Sequence, residues 1–293
     1  MISLKAPAKI NLSFEVIGKR DDGFHEVRTV LQAIDLADVV EIEEADEIRL
    51  TVEPVGAVPV EGNLVLRAAV ALREATGVAG GAAIMLRKRI PVAAGLGGGS
   101  SDAAATLLGL RRLWGVDRDK SAIYRIAAGL GADVPFFLRG GTAIGSGRGD
   151  AQELLPMPVE RFAVVVTPRD LPADEAKTSR LYGLLKPQHF SDGSSTGAVV
   201  FRITKGQPVG NAMRNTFAAV ASVAHASYEM TCTIFGTTEA GTTMLAGAGP
   251  SLFALVEDEV VGERIRGSME LAGYEAHLVG LLRPWPGNGL EAD

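Results

Sequence analysis

The chain has 293 residues, enough for one large domain or two smaller ones; 47% are hydrophobic and 22% charged, which supports a packed core and excludes a mainly disordered chain. Acidic residues outnumber basic ones 35 to 29, for a net charge of −6, and this argues against a general nucleic-acid binder, which needs a concentrated positive face. The outlying figure is 35 glycines, well above the roughly 7% usual in globular chains; without a G-X-Y period they mark turns or close backbone approach. Cys232 is the single cysteine, so neither an intrachain disulfide nor a cysteine zinc site can form, in keeping with a reducing cytoplasm.

The N-terminal string MISLKAPAKINLSFEV holds Lys5 and Lys9 and no long apolar block, so no signal peptide is expected. Residues 2–17 read as a strand interrupted by Pro7, residues 18–23 (GKRDDG) as a polar turn, and 27–34 and 39–52 as further strands. From Asn63 the period changes. Leu64, Ala68, Ala71, Leu72 and Ala75 share one helical face, with Asn63 as N-cap and Gly77 as stop. Residues 82–90 return to strand, 101–113 and 121–130 to helix, the latter ended by Gly131, and 141–146 to strand.

Pro156-Met157-Pro158 is the predicted boundary between a first domain, 1–157, and a second, 158–283, leaving a frayed tail over 284–293. The second part reads as a strand over 162–167, a helix near 215–228, a strand near 252–256, a helix over 260–271 and a strand near 276–281. Residues 191–198 (SDGSSTGA) read as a mobile loop, and 199–210 take no assignment. The charge-free run 240–256 is short of the ~20 residues a spanning helix needs and contains Gly241, Gly247, Gly249 and Pro250, so no membrane span is expected.

The sharpest local feature is Pro91, Val92, Ala93, Ala94, Gly95, Leu96, Gly97, Gly98, Gly99, Ser100 and Ser101, followed by Asp102 and an alanine-rich helix. A strand carrying Lys88 and Arg89 runs into it. Free N–H groups at a helix start, with no Cβ atoms in the way, suit a phosphate. The string is neither a Walker loop, since G-x-x-x-x-G-K-S/T occurs nowhere in the chain, nor a G-x-G-x-x-G fingerprint, since Ser100 or Asp102 falls where the last glycine belongs. A flexible strand-to-helix turn is the plain alternative.

The string PVAAGLGGGSSDAA resembles the phosphate loop of the GHMP kinases, a family that includes galactokinase, homoserine kinase and mevalonate kinase. Pro7-Ala8-Lys9-Ile10-Asn11-Leu12 resembles the family's first motif, and the segment from Met244 to Phe253, with Gly247 and Gly249, its third. Together the three span most of the chain. Lys9-x-Asn11, Asp22-Gly23-Phe24-His25 and residues 130–137 (LGADVPFF) are similar to the branch that phosphorylates the 2-hydroxyl of 4-diphosphocytidyl-2-C-methyl-D-erythritol in isoprenoid precursor synthesis. Three positions depart from the pattern: Phe24 replaces a tyrosine, Ala248 a serine, and residues 211–217 (NAMRNTF) an Asn-Asp-Leu stretch.

The resemblance implies an α/β (α+β) fold, with a ribosomal-S5-like N-terminal half and a ferredoxin-like C-terminal half. It implies ATP as donor with Mg²⁺, a small cytidyl alcohol as acceptor and a cytoplasmic enzyme, with no nucleic acid or membrane partner. The oligomeric state stays open between monomer and homodimer. No acidic cluster offers itself to the metal; Ser100 or Ser101 would approach it.

Phosphoryl transfer asks mainly for positioning and charge dispersal, and an alcohol acceptor must also lose its proton. The resemblance assigns that work to Asp133 and Lys9, with Asn11 positioning substrate. Aspartate, at an ordinary pKa of about 3.9, is a weak base for an alcohol, so the proton would move late while Lys9 meets the developing charge. Read without the family, Asp133 is a turn cap and Lys9 a solvated strand charge. Lys88 and Asn63 are implied at the adenine end, where Asn63 reads equally as a cap. Phe24 and His25, with Thr178 and Tyr182, are implied at the cytidine. The alternatives are another GHMP kinase, of mevalonate or homoserine type, and a nucleotide-binding module without catalysis.

Overall fold

The computed structural model describes residues 1–116, 120–169 and 177–285. Its first part runs β1 (Ile2–Lys19), β2 (His25–Ala45), β3 (Arg49–Glu53), α1 (Leu64–Thr76), β4 (Gly81–Arg87), α2 (Gly98–Leu113), α3 (Lys120–Leu130), α4 (Val134–Phe137), β5 (Thr142–Ser146) and β6 (Ala151–Leu155). The rest runs β7 (Phe162–Thr167), α5 (Lys177–Leu184), α6 (Ser194–Thr204), β8 (Arg214–Asn215), α7 (Ala221–Ala224), α8 (Tyr228–Gly236), β9 (Thr243–Leu245), β10 (Leu252–Val256), α9 (Glu259–Leu271) and β11 (Glu275–Gly280).

Two sheets result. The first is ordered β3-β4-β2-β1-β8, with β5 pairing the early part of β2 and β6 pairing β5. The second is ordered β11-β7-β10-β9 and is antiparallel throughout. Counting only its own strands, that order is fourth, first, third, second, which is the expected ferredoxin-like topology. Among the described residues no helix is long and apolar enough to cross a membrane.

β1 is buried on both faces, which explains why its sequence alternates only loosely. Leu4 and Ala6 join the cluster beneath α1 and α2, whereas Ala8, Ile10 and Leu12 pack with Ala163, Val165 and Phe253 of the second sheet. The strand does not break at Pro7. Its pairing with β2 shifts register between Pro7 and Lys9, and a residue without an N–H is tolerated at such an irregularity.

Asn63 caps α1 by accepting from the Val65 N–H at 3.0 Å, and Gly77 closes that helix as the sequence predicts. Residues 27–34 and part of 39–52 form one continuous β2 rather than two strands, because the early half pairs with β5 and the late half with β4. α2 begins at Gly98, earlier than the predicted Ser101.

Three expectations for the second part are corrected. Residues 194–204, read as loop or left unassigned, form α6. Two of its first-turn donors are met from outside, Ser194 N by Asp192 Oδ1 at 2.9 Å and Thr196 N by the buried Glu15 carboxylate at 2.6 Å, and its Thr196, Val199 and Ile203 are buried. The helix predicted over 215–228 is replaced by β8, a 3₁₀ turn over Thr216–Ala219 and the short α7, with α8 starting at Tyr228. Asn215 pairs in β8 and its side chain accepts from Phe217 N, which prevents a continuous helix. Finally, Pro284 and Trp285 are not frayed. Trp285 donates from its backbone to Arg139 O and from its indole to Phe137 O, and Gly140 bridges Pro284. Residues 286–293, the rest of that predicted tail, lie outside the described residues.

Phe253 is fully buried where the two sheets share side chains. Phe253→Ala is expected to cost about 3–5 kcal/mol in urea unfolding, with both halves melting in one transition. Two transitions, or a loss under ~1 kcal/mol, would contradict a shared core.

Candidate active site

β1 carries Lys9 and Asn11 two positions apart, so both side chains leave the same face of the strand. The Lys9 ammonium is buried, with the residue only 4% exposed. It donates to Asn11 Oδ1 at 2.8 Å and to the Gly95 carbonyl at 2.9 Å, and lies 3.7 Å from Asp133 Oδ2. Burial lowers its pKa below the ordinary lysine value, while the neighbouring Asp133 carboxylate works in the opposite direction. Asn11 is oriented from behind: its Nδ2 donates to Thr29 Oγ1 at 2.9 Å, and that hydroxyl donates to Ser13 O at 2.6 Å.

Asp133 stands at the start of α4 but makes no side-chain capping hydrogen bond. Its carboxylate, about a third exposed, is turned instead toward Lys9. The Lys9 ammonium is therefore not a solvated charge, and Asp133 holds the N-cap position of α4 without using its carboxylate as a cap.

The loop from Pro91 to Gly97 leads into the first turn of α2, Gly98 to Ser101, whose early N–H groups have no partner within the helix. Gly95 has φ +83°, and a Cβ there would lie 2.0 Å from Ala246 O, so only glycine lets this loop close against residues 246–249. A Cβ on Gly247 would come within 2.8 Å of both Lys9 Nζ and Gly95 O. The first, second and third motifs therefore converge on one ammonium.

Lys88 braces the loop rather than reaching toward open space. Its Nζ contacts Asp38 Oδ2 at 2.5 Å and Asp102 Oδ2 at 2.8 Å, and Asp38 also accepts from the Ile90 N–H at 2.9 Å. Burial disfavours the Lys88 charge, but Asp102 and Asp38 outweigh it and hold the pKa above the ordinary value. Burial drives the Asp102 carboxyl upward against the pull of Lys88. Asn63 is likewise occupied as a cap, its Nδ2 donating to Pro59 O at 3.0 Å.

Two residues overlooked in the sequence hold the third loop. Asn215 Nδ2 donates to Leu245 O at 2.9 Å and to Gly247 O at 2.8 Å. It occupies the segment where NAMRNTF departs from the family pattern, so an Asn ahead of Thr-Phe was the available signal. Lys177 donates to the Ala93 and Gly249 carbonyls. It follows a polar stretch with no motif to mark it.

An aromatic wall borders Asp133. His25 stacks on Tyr182 with ring centroids 4.7 Å apart, Tyr182 meets Phe217 edge-on at 4.9 Å, and Phe217 stacks on Phe14 at 5.0 Å. Burial and the Asp133 charge both raise the Tyr182 phenol pKa. Burial, with some help from Lys19, lowers that of His25 and favours a neutral imidazole. Phe24 is set apart from this stack. It is 53% exposed, with the Arg148 guanidinium 4.5 Å from its ring centre, and Thr178 is exposed on α5.

The arrangement offers an anion cradle of backbone N–H groups, an ammonium at its edge, a carboxylate beside that ammonium and an aromatic surface beyond. Residues 63–141 match the family described as GHMP kinases N terminal domain. The chain is 36% identical over 285 residues, 97% of its length and 99% of the relative's, to a 4-diphosphocytidyl-2-C-methyl-D-erythritol kinase of Dehalococcoides mccartyi. It is 40% identical over 270 residues, 88% of its length and 90% of the relative's, to the kinase of that name from Pelotomaculum thermopropionicum. A crystal structure of 4-(cytidine 5'-diphospho)-2C-methyl-D-erythritol kinase superposes with a TM-score of 0.80 at 32% identity, covering 96% of this chain and 99% of that one.

Gly95→Ala tests the closure of the two loops. The added methyl, 2.0 Å from Ala246 O in a left-handed backbone, is expected to cost about 2–4 kcal/mol in urea unfolding and to abolish pyrophosphate binding measured by calorimetry. Unchanged stability and binding would show that the loops need not meet.

Proposed function

The chain belongs to the 4-diphosphocytidyl-2-C-methyl-D-erythritol kinase family of the GHMP kinases, and we propose that it transfers the γ-phosphoryl group of ATP to the 2-hydroxyl of that cytidyl alcohol. The observation that carries the reading is the buried Lys9 ammonium, 3.7 Å from an Asp133 carboxylate with no capping duty, at the edge of the glycine loop. The N–H groups of that loop and of the first turn of α2 bind the phosphates. Asn11 and Lys9 orient the acceptor hydroxyl, and Asp133 takes its proton as the oxygen–phosphorus bond forms and ADP leaves. Lys9 stabilises the negative charge gathering on that oxygen. His25, as a neutral imidazole backed by the Tyr182 ring, reads the cytosine edge by hydrogen bonding, while the exposed Phe24 beside it in sequence supplies a ring face for stacking.

Among the described residues no group of three or more His, Cys, Asp or Glu side chains could hold a metal ion. The Ser101 hydroxyl, however, is buried without a hydrogen-bond partner, which fits an oxygen ligand kept for a hard cation arriving with the nucleotide; Ser100 is its neighbour. Mg²⁺ bound there would neutralise charge on the β and γ phosphates. The lone, partly buried Cys232 suits a cytoplasmic setting.

An ADP-release assay with the cytidyl alcohol, mevalonate and homoserine as acceptors tests the substrate. Turnover is expected with the cytidyl alcohol alone, and turnover with mevalonate or homoserine in its place would contradict the proposal. Lys9→Met and Asp133→Asn are each expected to lower kcat by about 10²–10³ while ATP affinity, measured by calorimetry, stays within a few-fold. Undiminished turnover in Asp133→Asn would remove that residue from the reaction.

A further inference from the structure

We propose that Lys177 is a positioning residue for the phosphate donor, one that locks the phosphate loop and the third glycine loop into a single wall; the inference rests on the ATP reading above. Lys177 opens α5, is only 7% exposed, and its ammonium donates to the carbonyls of Ala93 and Gly249. Each carbonyl belongs to one of the two loops that close around Gly95.

Ala93 is the one non-glycine residue with a positive φ, +55°, among the described residues. A side chain in that region is strained and persists only where its surroundings impose it. Lys177 is such an imposition. A planar trans peptide holds its C=O and N–H on opposite sides, so gripping the Ala93 carbonyl also fixes the direction of the Ala94 N–H, away from the lysine. Without the ammonium, the buried Gly249 carbonyl and the part-buried Ala93 carbonyl lose a charged donor, and the 93–94 peptide can relieve its strain by turning over. An anion cradle works through N–H groups held in advance, so the first property to suffer is donor affinity.

The same helix bears Tyr182, stacked on His25 at the other end of the site. A lysine that merely kept α5 folded would therefore affect both substrates alike. A lysine that shapes the phosphate loop affects the donor alone, and this difference is measurable.

Wild type, Lys177→Met and Lys177→Arg are titrated with ATP, and KM is determined for ATP and for the cytidyl alcohol, all well below each protein's thermal midpoint. Lys177→Met is expected to weaken ATP binding and raise the ATP KM by about tenfold or more, with the acceptor KM within about twofold; Lys177→Arg restores most of the loss. ATP affinity within twofold of wild type, or equal losses for both substrates, would overturn the proposal. Should Lys177→Met not fold, Lys177→Gln, which keeps two N–H donors without the charge, is read by the same two outcomes. Failure of the kinase reading looks different, because wild type itself would then not bind ATP.

Discussion

An ammonium group taken out of water sits at the centre of this fold. Burying a charge is costly unless it is paired and hydrogen-bonded, and Lys9 is surrounded accordingly by an amide oxygen, a backbone carbonyl and a carboxylate. Each partner comes from a different part of the chain: Asn11 from the same strand, Gly95 from the loop ahead of α2, and Asp133 from the start of α4. The two glycine loops have to approach within backbone contact to enclose it, and this accounts for glycine at 95 and 247 specifically. Much of the glycine excess does no such work and lies in ordinary turns.

The polar groups behind Lys9 form a continuous path along β1. Asn11 is held by Thr29 and Thr29 by the Ser13 carbonyl; the Ser13 hydroxyl accepts from Thr196, whose own backbone N–H donates to Glu15. All of these residues are buried. A strand covered on both faces can carry them because every group finds a partner, and each bond has one donor and one acceptor. The amide of Asn11 is thereby fixed with its oxygen toward Lys9, so a lysine on the first strand is oriented partly by a helix near residue 196.

Elements whose cause is local were legible in the sequence. Phosphate binding needs a contiguous run of small residues before a helix, so Pro91 to Ser101 was visible. The α1 cap and stop were also evident, since Asn63 and Gly77 act within a few residues of themselves. Effects that reach across the chain were hidden. Ser-Gly-rich residues 193–198 resemble a loop until Glu15, from the first strand, accepts from the Thr196 N–H in the first turn of α6, and the Thr196, Val199 and Ile203 spacing was the faint sign of it. Asn215 ends a helical-looking stretch because it is needed to hold Leu245 and Gly247. Lys177 and the pairing of His25, rather than Phe24, with Tyr182 depend on contacts more than 70 residues apart in sequence or on ring orientations, neither of which leaves a periodic trace.

The Lys9 ammonium can be observed directly. Titration of ¹⁵N-lysine-labelled protein by NMR, with Lys9→Met used to assign the signal, measures its pKa. Burial disfavours the charged form and Asp133 favours it, so the value is expected below an ordinary lysine's 10.5 in wild type and lower still in Asp133→Asn. A pKa at or above 10.5 that ignores the loss of the Asp133 charge would contradict the claim that this site is organised around a buried lysine paired with that carboxylate.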